Sequence, residues 1–279
     1  QAHHQQAANS ALQSALISYD KRHGYRGPIE HLDLPNELTT KTLEMLLSET
    51  NSIGPLHPGL VLTTQEKIAN IYIKGKGITS ISINDLSWAR KQLNTNAMGR
   101  KPVNVDDVLI AGDIVRLYQN KSDQWRLTQL PEVEGALIAL SPDNGAITAL
   151  NGGFEYYNSK FNRVTQSRRQ PGSGFKPFIY SAALERGYPP ATIINDAPVV
   201  FDDPGLENVW RPSNYSGKFF GPTRLRVALT NSRNLVSIRL LRDISPSYAI
   251  NYASRFGFDA NQMPRDLSLA LGSGSAPPD

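Results

Sequence analysis

The chain has 279 residues, enough for one large or two smaller domains, and its 39% apolar and 19% charged content is that of an ordinary globular protein. A net charge of +4 without a dense basic stripe interleaved with aromatics argues against nucleic-acid binding. No run reaches the roughly 18 apolar residues of a membrane span, and the absence of cysteine excludes disulfides and thiolate metal sites while leaving the compartment open. The histidines at 3, 4, 23, 31 and 57 lie outside the Ser173 region. No metal or cofactor is expected.

In chain order, Ala8, Ala11, Leu12, Ala15, Leu16 and Tyr19 recur at helical spacing and predict a helix over 9–22 that ends at Gly24. A second helix is predicted over 36–50, entered from Pro35-Asn36. After Gly54-Pro55 the pattern turns to short β-rich runs: Val61 to Thr63, Ile68 to Lys74, Ile78 to Ile83, Val108 to Tyr118 and Trp125 to Leu130. Asp85 to Gln92 reads as a short helix with Trp88 and Leu93 facing inward. Five short strands and one helix predict a small β-barrel of the OB type, serving either as a binding or spacer module or as a purely structural insert.

At Pro131 the texture changes again. Val133 to Leu140 and Ala146 to Leu150, joined through Asn144-Gly145, predict an apolar hairpin buried in the middle of a sheet and covered by helices. The next long helix opens at Ser173 and runs through Tyr180, Ala183 and Leu184 to Gly187. The fold class is therefore α+β, with an active-site helix packed beside a sheet. The expected domains are linker helices over 1–58, the OB-like β-barrel insert over 59–130 and a further domain over 131–279.

The chemistry lies in Ser173-Gly174-Phe175-Lys176 and, 59 residues after Ser173 (232 − 173), in Ser232-Arg233-Asn234. Side chains three apart on a helix are neighbours, so the Lys176 amine can reach the Ser173 hydroxyl. A serine is a weak nucleophile until a base takes its proton. A buried lysine with its pKa lowered toward roughly 7–8 is such a base, worth about 10²–10⁴ in rate. Pro177 lacks the N–H that would bond to the Ser173 carbonyl, which sets the serine at a helix mouth. Gly172 and Gly174 leave room for a tight turn and a substrate carbonyl. Ser18 to Lys21 and Ser82 to Asn84 repeat both spacings, but the first falls in an amphipathic helix and the second in a strand with its serines facing water. Arg163, Arg168 and Arg169 before Ser173, and Arg224, Arg226 and Arg233 around Ser232, read either as solvated surface or as partners for a carboxylate-bearing substrate.

Phe161-Asn162-Arg163 and the run from Arg169 through Phe178 resemble the nucleophile region of class A bifunctional penicillin-binding proteins. Gly152-Gly153-Phe154, Trp210, Pro212, Asn214, Tyr215, Gly221-Pro222-Thr223 and Leu225 to Asn234 match the same family in the same order, as does Tyr19 to Pro28 in the opening helix. The insert resembles the extra domain of the first Gram-negative subtype. The resemblance implies a penicillin-binding transpeptidase, a β-lactamase-like α/β sandwich that is incomplete here, cross-linking peptidoglycan stem peptides and acylated by β-lactams. It implies Ser173 as nucleophile, Lys176 as its base, Ser232 as proton relay to the leaving amine and Asn234 as holder of the substrate amide. It further implies a glycosyltransferase domain and membrane anchor ahead of Gln1, a place on the periplasmic face of the inner membrane, and an outer-membrane lipoprotein activator docking on the insert.

The Lys-Thr-Gly or Lys-Ser-Gly element expected after Gly272 is missing. Losing one oxyanion donor typically costs about 10²–10³ in turnover, so the chain alone is expected to be nearly inactive. A fast stoichiometric penicillin adduct on Ser173 would contradict that. A β-lactamase, a β-lactam sensor and a non-catalytic binding module are the competing readings; the last requires that Ser173→Ala leave every activity intact.

Overall fold

The computed structural model describes residues 2–198 and 210–277, which fall into two compact units, Gln1–Thr165 and Gln166–Asp279.

In the first unit, α1 (Ala2–Lys21) is followed by β1 (Glu30–His31), α2 (Thr40–Leu46), β2 (His57–Thr64), β3 (Ile68–Ile73), β4 (Gly77–Ser82), β5 (Gln92–Asn94), β6 (Ala97–Met98), β7 (Asp113–Gln119), β8 (Trp125–Thr128), β9 (Leu137–Leu140) and β10 (Ile147–Asn151). β1, β7, β2, β3 and β4 form an antiparallel sheet in that order, with β8 also on β7. This is the small antiparallel sheet expected of an OB-like insert, although no pairing closes it on itself among the described residues. Alternation along the strands explains its two cores. Val61, Ile71, Ile73, Val115 and Leu117 point to one face, against Leu86, Leu109 and Leu127. Leu60, Tyr72 and Ile114 point to the other, where Leu43 and Leu47 from α2 and its C-cap cover them. Each such side chain, fully buried, contributes on the order of 1.5–3 kcal/mol.

Three expectations need correction. Asp85 to Gln92 is not a helix: a 3₁₀ turn ends at Leu86, a turn follows, and Leu93 is exposed on β5. With i and i+3 eclipsed, 3₁₀ runs rarely extend, and Trp88 reaches the core from the turn instead. The strand expected from Val108 begins only at Asp113, because Gly112 takes φ +97° and bends the chain. The hairpin of β9 and β10 is a two-stranded sheet with Leu140 and Ile147 exposed, rather than the centre of a larger one. α1 covers it: Leu12, Leu16 and Ile17 cluster with Leu56 and Phe154, and Gln5 bonds to both the N–H and the carbonyl of Leu150. A side-chain amide thus occupies strand edge that would otherwise be open to another chain.

The second unit holds α3 (Lys176–Glu185), β11 (Ile193–Asp196), β12 (Gly221–Arg224), α4 (Leu225–Thr230), α5 (Asn234–Ile244) and α6 (Pro246–Ala253). β11 and β12 pair antiparallel. α5 is the central helix, burying Val236, Ile238, Leu240, Leu241 and Ile244 in one cluster with Ile179, Ala182 and Ala183 of α3 and Ala249 and Ala253 of α6.

Candidate active site

Gly172 takes φ +57° and leads into a 3₁₀ turn over Gly172–Phe175, after which α3 begins with Pro177 in its first turn. The Lys176 N–H donates to the Ser173 carbonyl. In a 3₁₀ turn, side chains three apart eclipse, so this geometry sets Ser173 and Lys176 on one side more directly than the expected α-helix would. Their burial differs: Ser173 is exposed, whereas Lys176 is 1% exposed. Gly272 braces the turn from outside, accepting from Gly172 N–H at 3.2 Å; a methyl group on Gly272 would sit 2.1 Å from the Gly172 carbonyl oxygen.

The turn between α4 and α5 supplies the rest. Ser232 N–H bonds to the Leu229 carbonyl and Arg233 N–H to the Ala228 carbonyl, the paired bonds of a Schellman motif. Such a motif places its first residue past the helix in the left-handed region, and Ser232 has φ +51°. A non-glycine residue there costs about 1–2 kcal/mol. Ser232→Gly is accordingly expected to raise unfolding stability by about 1 kcal/mol in a urea titration while removing the hydroxyl. Loss of stability would show that the Lys176 bond outweighs the backbone strain.

Lys176 Nζ donates to Asn234 Oδ1 at 2.7 Å and to the carbonyl and Oγ of Ser232, each at 2.9 Å. All three donors of an ammonium are thereby used. The Ser173 hydroxyl makes no hydrogen bond among the described residues, and it opens on a cleft of about 410 Å³ shared with Asn214, Tyr215, Ser216, Asn231, Ser232, Arg233 and Asn234. All four residues singled out in the sequence are therefore brought together, the serine at the surface and the amine beneath it.

Burial lowers the Lys176 pKa from 10.5 to about 8. Folding therefore favours the neutral amine. Between pH 8 and 10.5 the unfolded chain binds the proton that the folded chain has released, so this lysine makes stability rise with pH across that window. Lys21, also held near 8, acts in the same direction. Comparing the native chain with Lys176→Met by denaturant titration at pH 8, 9 and 10 isolates Lys176: the slope should be shallower in the variant, and equal slopes would contradict the shift.

Two contributors carry no catalytic signature in the sequence. Asn214, only 4% exposed, accepts from Asn234 N–H at 2.8 Å, and Asp196, fully buried, accepts from the Asn214 amide at 2.8 and 3.0 Å. Asn214 stood out in the sequence only as a residue of the family pattern, and nothing local marks Asp196.

The site thus combines an exposed serine at the entrance of α3, a buried lysine amine and a Ser-x-Asn turn bonded to that amine. The comparisons give the family. The penicillin-binding protein OB-like domain family matches residues 25–133, and the penicillin binding protein transpeptidase domain family matches residues 135–274. The chain belongs to the penicillin-binding protein transpeptidase family. It is 41% identical over 98% of its length to penicillin-binding protein 1A of Vibrio cholerae, covering 34% of that protein, and 42% identical to penicillin-binding protein 1A of Pseudomonas aeruginosa, covering 98% of this chain and 33% of that one. The crystal structure of penicillin-binding protein 1A from Haemophilus influenzae superposes with a TM-score of 0.84 at 34% identity, over 98% of this chain and 39% of that one. The chain thus spans about a third of the length of the curated relatives it matches. Among the described residues, no helix is long and apolar enough to cross a membrane.

Proposed function

We propose that this chain is the linker, OB-like and N-terminal transpeptidase portion, over 1–58, 59–130 and 131–279, of a peptidoglycan synthase that works through an acyl-enzyme on Ser173. The observation that carries the reading is the buried Lys176 amine bonded to Ser232 and Asn234 beneath the cleft that Ser173 lines.

Lys176, when neutral, has a lone pair free to take the Ser173 proton. Ser173 Oγ then attacks the carbonyl between the two terminal D-alanines of a stem peptide; the C–O bond forms and the C–N bond breaks. The Ser232 hydroxyl, already against the amine, relays the proton to the departing D-alanine nitrogen, and Asn234 holds the peptide amide. An amine from a neighbouring strand reverses the sequence: its C–N bond forms, the ester breaks, and the proton returns to Ser173. A β-lactam enters by the same attack, with ring opening in place of departure.

In the protein that carries this chain, a glycosyltransferase domain and an anchor in the inner membrane complete the enzyme on its periplasmic side, and an outer-membrane lipoprotein activator docks on the OB-like domain. The reading is tested by intact-mass analysis of that protein after incubation with a fluorescent penicillin. One adduct per molecule, mapped to Ser173 and abolished by Ser173→Ala, is the expected result. An adduct elsewhere, or one that survives the substitution, overturns it.

A further inference from the structure

We propose that Asn214, held in place by Asp196, is a positioning residue that aims the Ser-x-Asn turn at the Lys176 amine; the catalytic meaning of that aim rests on the function proposed above.

Arg233 stands at the N-cap of α5 and its side chain makes no capping bond, so the first N–H groups of the helix need a partner from elsewhere. Asn214 provides it across 20 residues of sequence: its Oδ1 accepts from Asn234 N–H at 2.8 Å and, at the limit of hydrogen bonding, from Leu235 N–H at 3.5 Å. An amide that caps in this way can turn about its own bonds unless its other end is held. Here the Nδ2 donates to both carboxylate oxygens of Asp196 and to the Lys218 carbonyl at 2.9 Å. The adjacent Ser213 carbonyl accepts from Asn234 Nδ2 at 2.9 Å, which orients the Asn234 amide so that its oxygen faces Lys176. Backbone and side chain of Asn234 are thus both fixed by Ser213-Asn214. Burial makes the arrangement stringent, since an unmet polar group at that depth is costly. Burial, and no neighbouring charge, shifts the Lys176 amine, and Arg233 in the turn lies over the Phe220 ring.

The pair can be exchanged to separate aim from simple support. Asn214→Asp alone keeps an acceptor for the Asn234 N–H but sets two carboxylates against each other. Asp196→Asn with Asn214→Asp restores a donor facing an acceptor, with the roles reversed. The readings are the Lys176 side-chain titration and Asn234 amide exchange, both by NMR on the full chain, with Leu240 and Leu241 amides as an internal control for global stability. Asn214→Asp and Asn214→Ala are expected to speed Asn234 exchange at least tenfold relative to Leu240 and Leu241, and to move the Lys176 midpoint up by about one pH unit as the amine loosens toward solvent. The exchanged pair should recover most of both changes. Unchanged Asn234 exchange and Lys176 titration in folded Asn214→Asp overturn the proposal, as does an exchanged pair that recovers neither reading or does not fold. Neither reading needs acylation, so a normal NMR result beside a missing penicillin adduct would reject the catalytic assignment and leave the positioning role standing.

Discussion

Lys176→Met in the protein that carries this chain is expected to slow penicillin acylation of Ser173 by about 10²–10⁴. Methionine fills a similar space without an amine, so the base disappears while the packing of α3 is largely kept. Asn234 Oδ1 and Ser232 Oγ each lose their bond to Nζ, which leaves the cleft chemically mute and locally less ordered. The pH dependence is the sharper signature. Acylation by the native protein should climb as the amine loses its proton near pH 8 and level off above it, because only the neutral form can accept the serine proton. The variant's residual rate should lack that climb. Stopped-flow measurement with a fluorescent penicillin between pH 6 and 10 decides the matter: a native rate that falls through pH 8, or a variant within threefold of native, excludes Lys176 as the base.

The second large effect is on stability, at the far end of α1. Asp20 is 4% exposed and accepts from Arg26 through both oxygens at 3.0 and 3.1 Å, from Gln129 Nε2 at 2.7 Å and from Glu132 N–H at 3.2 Å. This one carboxylate joins the helix end to the chain entering and leaving the OB-like sheet. Asp20→Ala removes the buried carboxylate, leaving Arg26 only Glu132 and the Leu130 carbonyl and the Gln129 amide only the Gly24 carbonyl, and is expected to destabilise the first unit by about 3 kcal/mol. Asp20→Asn retains the shape and one acceptor, so about half that loss is expected. Urea unfolding followed by tryptophan fluorescence in a Trp210→Phe background reads the first unit through Trp88 and Trp125. A loss under about 1 kcal/mol for Asp20→Ala would mean that water replaces the carboxylate without strain.

Legibility divided along the same lines. α1 and the strands β2, β3, β4 and β8 follow alternation and spacing that a local window reveals, whereas the helix expected over 36–50 holds only over Thr40–Leu46. The apolar hairpin misled, because Leu140 and Ile147 look like core residues whether or not a further strand lies beside them. Asp85 to Gln92 misled for the opposite reason: Trp88 is drawn inward by the sheet core and not by a helix of its own. At the site, the placement of Ser173 and Lys176 on one turn was readable, with a 3₁₀ turn in place of the first turn of an α-helix. The left-handed Ser232, at a position where glycine is usual, was not readable at all.

What the sequence by itself determined is the family and the spacing of its candidate residues: Ser173 and Lys176 are three apart, so a single turn of backbone is enough to turn them to one side. What only the tertiary structure decided is the depth of that lysine and the identity of its partners. Asn234 lies 58 residues away, and Asn214 and Asp196 reach it through hydrogen bonds between distant segments. Such bonds leave no periodic trace along the chain, because they depend on which polar groups packing has cut off from water and not on local spacing.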